Sequence, residues 1–364
     1  MSISFRYVEN LNTQTRSLLT LSQVVKQIGL GKTTNDIVVS KLIKWSSALE
    51  QENQDYKSYK GTIANSKNKK LTSKRYIDLC YNLGLINSFN SVLFNTDLGK
   101  VLYTLTIDND PQSPHISSDL KNFFYNLLIL KDADLLILSL QILNEIEQES
   151  YQKELLRNFK HHYLNRLYAK SKISTGSIKS ELQERYRIVK LEWEKAHVYA
   201  EHLLIPRLEW LAQLNLVDKI QTSGKTSFKL NKKSDYFLRE LTYYTELGIY
   251  DIDDNWIDES CQQAYNLVES NSQSWENLSE LEQKKILSKY IINVYAFLAK
   301  GSAQRIPIIP TLLYSTIMIR RDVQLTVEYA HMKKLLKSEF KYKKRKFMIR
   351  EAARTNEGYI LIKL

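Results

Sequence analysis

The sequence predicts a mainly α protein with small β-hairpins, an α+β chain of several modules joined by helical linkers. Three observations carry that expectation. At 364 residues the chain exceeds what one ordinary core fills, because cores stop growing at roughly 250 residues, and an apolar share of 43% can fill two or three. Only 10 Gly and 5 Pro are present, which disfavours a sandwich or barrel built from many tight turns. Finally, the stretch RYIDLCYNLGLINSFNSVLFN, Arg75 to Asn95, runs a helical apolar pattern into Leu83-Gly84-Leu85-Ile86 and then switches to short β-like pieces.

Taken in order, RSLLTLSQVVKQIGL predicts a helix ending at Gly29. TNDIVVSKLIKWSSALE predicts a second, following a Thr pair suited to N-capping. GLGKTT, Gly29 to Thr34, holds the GKT of a phosphate-binding loop. Lys26 stands where the full pattern needs a glycine, and no strand precedes it, so a turn between two helices is the expectation. After a lysine-rich stretch, Thr72 or Ser73 is expected to cap a helix whose Tyr76, Leu79, Cys80 and Leu83 follow helical spacing. Gly84 then stops it, as a residue of positive φ just past a helix end does. SVLFNTDLGKVLYTL supplies a strand and a return into helix. Helix, sharp stop and small hairpin form the signature of a winged helix-turn-helix, in which the helix before the stop lies in a DNA groove.

The pattern recurs in RLEWLAQLNLVDKIQTSGKTSFKLNKK, from Arg207. At an offset of 131, Leu214-Asn215-Leu216-Val217 matches Leu83-Gly84-Leu85-Ile86, with Asn in the place that tolerates the left-handed conformation. TSGKTS is the expected hairpin tip, with Phe228 and Leu230 alternating along a strand. Between the two lies an apolar helical run from Ser117 to Phe159. A second helical linker runs from about Cys261 to Leu298. Near the end, TVEYAHMKKLLKSEF predicts a helix capped by Thr326, with Tyr329, Met332 and Leu336 on one face. KYKKRKFMIREAARTNEGYILIKL predicts a terminal hairpin turning around Asn356-Glu357-Gly358. The expected division is a helical and winged-helix module over 1–110, a linker over 111–165, a second winged helix over 166–245, a linker over 246–300 and a basic third module over 301–364.

The net charge of +12 is unevenly placed. Residues 1–110 carry a balance of +5 and residues 301–364 one of +9, while the middle of the chain is at −2. Positive ends beside a neutral centre suit a polyanion-binding surface. Lys67, Lys69, Lys70, Lys74 and Arg75 straddle the start of the first recognition helix, where cations and helix N-terminal amides both reach phosphate. Lys225 sits at the second hairpin. Lys341, Lys343, Lys344, Arg345, Lys346, Arg350 and Arg354 put seven cations within 14 residues of the last hairpin, interleaved with Tyr342 and Phe347. A charged strand is commonly just a protected sheet edge, but this density exceeds that need and favours DNA contact. Alternation sets Phe347 and Ile349 inward and Lys346 and Arg350 outward.

Other motifs lead to bland readings. DIDDNWIDES places Asp251, Asp253 and Asn255 as in a calcium loop, yet Trp256 and Gln262 stand where Gly and Glu are required, so a solvated acidic loop is expected. The pairs His161-His162 and His197 with His202 have no metal-ligand spacing. Cys80 and Cys261 form no CxxC, and no run of 18 apolar residues occurs. A reducing cytoplasm is therefore the expected setting, with no membrane span, no secretion signal and no cofactor. Glu339-Phe340-Lys341 is the E-x-K of restriction-type nucleases, without an Asp at the end of a preceding strand.

In organisation the chain resembles proteins that string winged helices along DNA, such as the recognition regions of type IIS restriction enzymes and the initiators of plasmid replication. The resemblance rests on the two helix-stop-hairpin patterns and the basic end, and spans most of the chain. It implies binding of double-stranded DNA without catalysis, in a defence, restriction or mobile-element system, with cutting or ATP hydrolysis left to a separate nuclease or ATPase subunit. Two rivals are a metal-dependent nuclease using Glu339 and Lys341 and a helical scaffold whose winged helices bind protein.

Overall fold

The computed structural model describes residues 5–8, 11–53, 56, 61–107, 113–146, 150–222, 225–234, 238, 273–299, 305–351 and 358–363. The protein is mainly helical with small sheets, as the composition predicts, all antiparallel among the described residues but for one two-stranded parallel pair at 273–274 and 325–326. No helix among these residues is long and apolar enough to cross a membrane.

In the N-terminal part, α1 (Leu18–Ile28) is capped by Ser17, whose side chain accepts from the Thr20 amide. Then come β1 (Lys32–Thr34), α2 (Asn35–Glu52), α3 (Lys69–Asn82), β2 (Ile86–Phe89), β3 (Val92–Asn95) and α4 (Asp97–Ile107). Two local expectations need correction. The GKTT segment is not a plain turn between helices, because Lys32–Thr34 pairs antiparallel with β3. Three residues form no strand alone; the partner across the sheet decides. Likewise α3 starts earlier than expected: Asn68 accepts from the Leu71 amide at 2.9 Å, and Thr72 and Ser73 are buried inside the helix.

The stop itself follows local rules. Gly84 has φ +71°, and the amides of Leu83, Gly84 and Leu85 donate to the carbonyls of Leu79, Tyr81 and Cys80. Asn215 has φ +60°, and Leu214, Asn215 and Leu216 donate to Trp210, Ala212 and Leu211, bond for bond at the same offset. Gly99 serves differently, bringing α4 against this stop. A Cβ at Gly99 would lie 2.0 Å from the Leu85 carbonyl oxygen. Gly99→Ala is therefore expected to cost about 1–3 kcal/mol through overpacking, read by urea denaturation; an unchanged midpoint would show that α4 can slide.

The central part comprises α5 (Ser118–Glu145), β4 (Ser150–Tyr151), α6 (Gln152–Ile173), α7 (Gly176–Glu192), α8 (Ala196–Gln213), β5 (Val217–Thr222) and β6 (Lys225–Leu230). Strand β4 pairs with β6, giving the order β4-β6-β5. The span 111–165 is thus more than a linker, since it supplies a strand of the second sheet. The hairpin tip at Ser223-Gly224 lies outside the described residues.

Helix α5 breaks at Asp132 (φ −139°, ψ 15°) within LLILKDADLLIL. Backbone groups released there, and the two carboxylates beside it, bind the segment 5–8. Asp134 accepts from the Arg6 amide and donates its own amide back to the Arg6 carbonyl, while Asp132 accepts from the Val8 amide at 2.7 Å. Arg207 of α8 grips Asp132 through Nε and Nη2 at 2.7 and 2.6 Å, and Lys170 of α6 meets Asp134 at 2.7 Å. Asp132, Asp134 and Arg207 are fully buried. Buried charge is tolerated only when paired and hydrogen-bonded, and this network ties three helices and the N-terminal segment together.

The last part contains β7 (Gln273–Ser274), α9 (Glu280–Leu298), β8 (Arg305–Pro307), α10 (Ile308–Val323), β9 (Leu325–Thr326), α11 (Tyr329–Lys337), β10 (Phe340–Tyr342), β11 (Arg345–Glu351) and β12 (Gly358–Lys363). Helix α9 opens with a capping box, Ser279 and Glu282 each bonding the other's backbone amide. The expected Thr326 cap is replaced: Thr326 lies in β9 and Glu328 precedes α11. The terminal sheet has the order β10-β11-β12-β8, two strands more than the expected hairpin. Asn356 and Glu357, the acidic loop at 251–260, and Cys261 and Gln262 lie outside the described residues.

Candidate nucleic-acid interface

A third helix stop leads into this last sheet. Glu339 has φ +50°, its amide donates to the Leu336 carbonyl and the Ser338 amide to Lys334. These are the bonds of Gly84 and Leu83 repeated. The E-x-K glutamate thus sits at a left-handed helix end, and its oxygens are engaged by Lys346 at 2.8 Å and Arg350 at 3.2 Å. Those cations hold its carboxyl below the usual range. Among the described residues no group of three or more His, Cys, Asp or Glu is placed to hold a metal.

The register of β10 against β11 opposes Phe340 to Phe347, Lys341 to Lys346 and Tyr342 to Arg345. Lys346 in turn faces Lys363 of β12. Three lysines therefore stand side by side across three strands, an arrangement that like-charge repulsion disfavours and that Glu339 offsets at Lys346 alone. Phe347 and Ile349 are buried and Arg350 is exposed, as alternation predicts, but Met348 is buried too, so neither face of β11 is open there. Lys343 and Lys344 form the turn between β10 and β11 rather than continuing a strand, with Lys343 at φ +54°. Arg354 lies outside the described residues.

That turn overhangs a cleft of about 750 Å³. Lys343, Lys344 and Arg345 line one side, and Lys285 and Lys289 of α9 line the other. Tyr342, Ile286 and Ile292 supply ring and apolar surface between them, backed by the fully buried Tyr290. Lys289 lies 4.9 Å from the Tyr290 ring centre, and the Tyr290 hydroxyl donates to Asp322 at 3.1 Å. Burial beside Asp322 pushes the Tyr290 hydroxyl pKa well up, so it stays protonated and its ring is held. Among the described residues none of the five cations is in an ion pair, unlike Lys346 and Arg350. Lys285 and Lys289 were missed by sequence reasoning. Their signal was present as an i, i+4 lysine pair in EQKKILSKYI, but only the fold brings it opposite the turn.

At the N-terminal part, Lys67, Lys70 and Lys74 are exposed and Lys69 half-buried along the start of α3, with Tyr81 exposed further on. Arg75 behaves differently from the others. Its Nη1 donates to Asn12 Oδ1 at 3.0 Å and Gln14 Oε1 at 2.6 Å, fastening α3 to the N-terminal segment. Lys225 is exposed at the start of β6, but in α8, the helix before that hairpin, only the first turn is open, at His197, Val198 and Tyr199, and the half that leads into the stop is covered. Nine consecutive residues from Leu203 to Leu211 are buried, and Trp210 and Gln213 bond the backbone at Thr15, Arg16 and Leu18. The covered half of α8 has no face left for a DNA groove, whatever the likeness of its stop to that of α3. Set against known protein families, curated proteins and solved structures, the chain matches none.

Proposed function

We propose that the protein is a non-enzymatic, cytoplasmic DNA-binding protein built from tandem winged-helix modules, in which the last module and α3 meet duplex DNA and the middle one serves packing. The observation that carries this reading is the convergence on one cleft of five cations from α9 and the β10–β11 turn that, among the described residues, are in no ion pair. Such convergence costs mutual repulsion and is relieved by a polyanion. The modular reading is supported by topology: in each of three sheets the strand preceding the helices pairs antiparallel with the last strand, as β1 with β3, β4 with β6 and β8 with β12. From its resemblance in organisation to winged-helix recognition regions comes the role of a recognition subunit in a defence, restriction or mobile-element system, with chemistry done by a separate nuclease or ATPase.

The test is a titration of labelled duplex across a salt series, with and without magnesium. Binding that weakens linearly on a log–log plot, with the DNA left intact, is the expected result. Absence of binding at low salt overturns the reading; cleavage lost in Glu339→Ala or Lys341→Ala replaces it with the nuclease. For α3, Lys70→Glu with Lys74→Glu should weaken binding tenfold or more, ~1.4 kcal/mol per decade, at unchanged thermal stability. Arg75→Glu is unsuited to that purpose because it also breaks the bonds to Asn12 and Gln14.

A further inference from the structure

We propose that the cleft between α9 and the β10–β11 turn receives an unpaired nucleotide of the bound DNA, its base against the ring and aliphatic wall and its flanking phosphates on the surrounding cations. This rests on the DNA-binding reading and names the form of DNA. Duplex backbone needs only projecting cations, because its bases are stacked away from the protein surface and its phosphates lie outermost. Here the cations surround a hollow. Its volume of about 750 Å³ falls within the roughly 300–1,000 Å³ of sites that enclose small organic groups.

The lining matches the chemistry of a nucleotide in two parts. Ile286, Ile292 and the half-buried ring of Tyr342 offer a surface on which a flat base displaces water, and base–aromatic contact of this kind tolerates any base. Lys285, Lys289, Lys343, Lys344 and Arg345 line the same cleft beside that wall. A free phosphate would satisfy the cations and leave the apolar wall wet. An apolar ligand would leave the cations unsatisfied. Only a ligand with an aromatic plane and adjoining negative charge uses both. Tyr290, fully buried and bonded to Asp322, backs this wall from within the core, and Lys343 lies over the Tyr342 ring, 5.8 Å from its centre, a cation beside the ring that would meet the base.

The test compares the full chain on a blunt duplex and on the same duplex carrying a short single-stranded overhang, with 2-aminopurine in the overhang as reporter. The overhang is expected to bind about tenfold more tightly, with quenching of the aminopurine. Asn293→Trp, at an exposed position lining the cleft, fills it without changing charge and should reduce the preference to none; Tyr342→Ala should do likewise, with thermal unfolding as a check that each variant is folded. If wild type binds both DNAs equally and with normal salt dependence, the cleft inference fails while the DNA-binding reading stands. A preference that survives Asn293→Trp also overturns it, by placing the unpaired nucleotide elsewhere. If neither DNA binds, both readings fail together.

Discussion

Arg207→Leu is expected to destabilise the protein by about 3–5 kcal/mol, the cost of leaving a buried charge without its partner. Arg207 supplies Asp132 with two charge-assisted hydrogen bonds at 2.6 and 2.7 Å and donates to the Val8 carbonyl, all at zero exposure. Burial already raises the Asp132 carboxyl above its ordinary pKa, with Arg207 the main opposing influence. Removing Arg207 raises it further. Between the unfolded and folded values the folded state then holds the extra proton, so stability of the variant should rise as the pH falls toward the ordinary carboxylate range. The double change Arg207→Leu with Asp132→Leu should recover much of the loss, since an apolar pair leaves no orphaned charge. Urea denaturation of the three proteins at neutral and mildly acidic pH reads all of this. A loss below about 1 kcal/mol, typical of exposed ion pairs, would mean that water reaches Asp132.

Neutralising Lys285, Lys289, Lys343, Lys344 and Arg345 to Gln should weaken duplex binding by about a hundredfold at roughly 0.1 M salt and flatten the log–log salt plot by two or more. Each lost phosphate contact removes ~0.9 from that slope for duplex DNA, so about three real contacts among the five suffice. The loss should be the same for all sequences, because phosphates carry no base information. A paired comparison sharpens the result. Lys346, Arg350 and Glu339 changed together to Gln remove only one net charge, from groups that already satisfy one another, and should cost less than tenfold. Equal effects from the two sets would make the response one of net charge and not of the cleft.

How much of this was legible in the chain can be judged element by element. The stops at Gly84 and Asn215 could be read because a left-handed residue after a helix is a local demand that Gly and Asn meet cheaply. The same geometry at Glu339 could not, since nothing in a glutamate announces positive φ, and the residue read more readily as part of an E-x-K. Strands β1 and β4, of three and two residues, carry no periodicity and exist only through partners across the sheet. Asp132 and Asp134 passed unremarked inside an apolar helical run, because their partners at Arg6, Val8, Lys170 and Arg207 are distant in sequence.

What the sequence by itself determined was the helical class, the positions of the first two stops and the concentration of positive charge at the two ends, because propensity, capping and composition act over a few residues. Tertiary structure alone decided which of those features face solvent. It enclosed the C-terminal half of α8 among α5, α6 and the N-terminal segment, so that two stops alike in every backbone bond follow helix ends of unequal exposure. It turned Arg75 inward to Asn12 and Gln14, set Glu339 between Lys346 and Arg350, and carried Lys285 and Lys289 opposite Lys343, Lys344 and Arg345. The physical reason is common to all four: burial and charge pairing depend on groups brought together from far along the chain, and no local pattern encodes the other side of a contact.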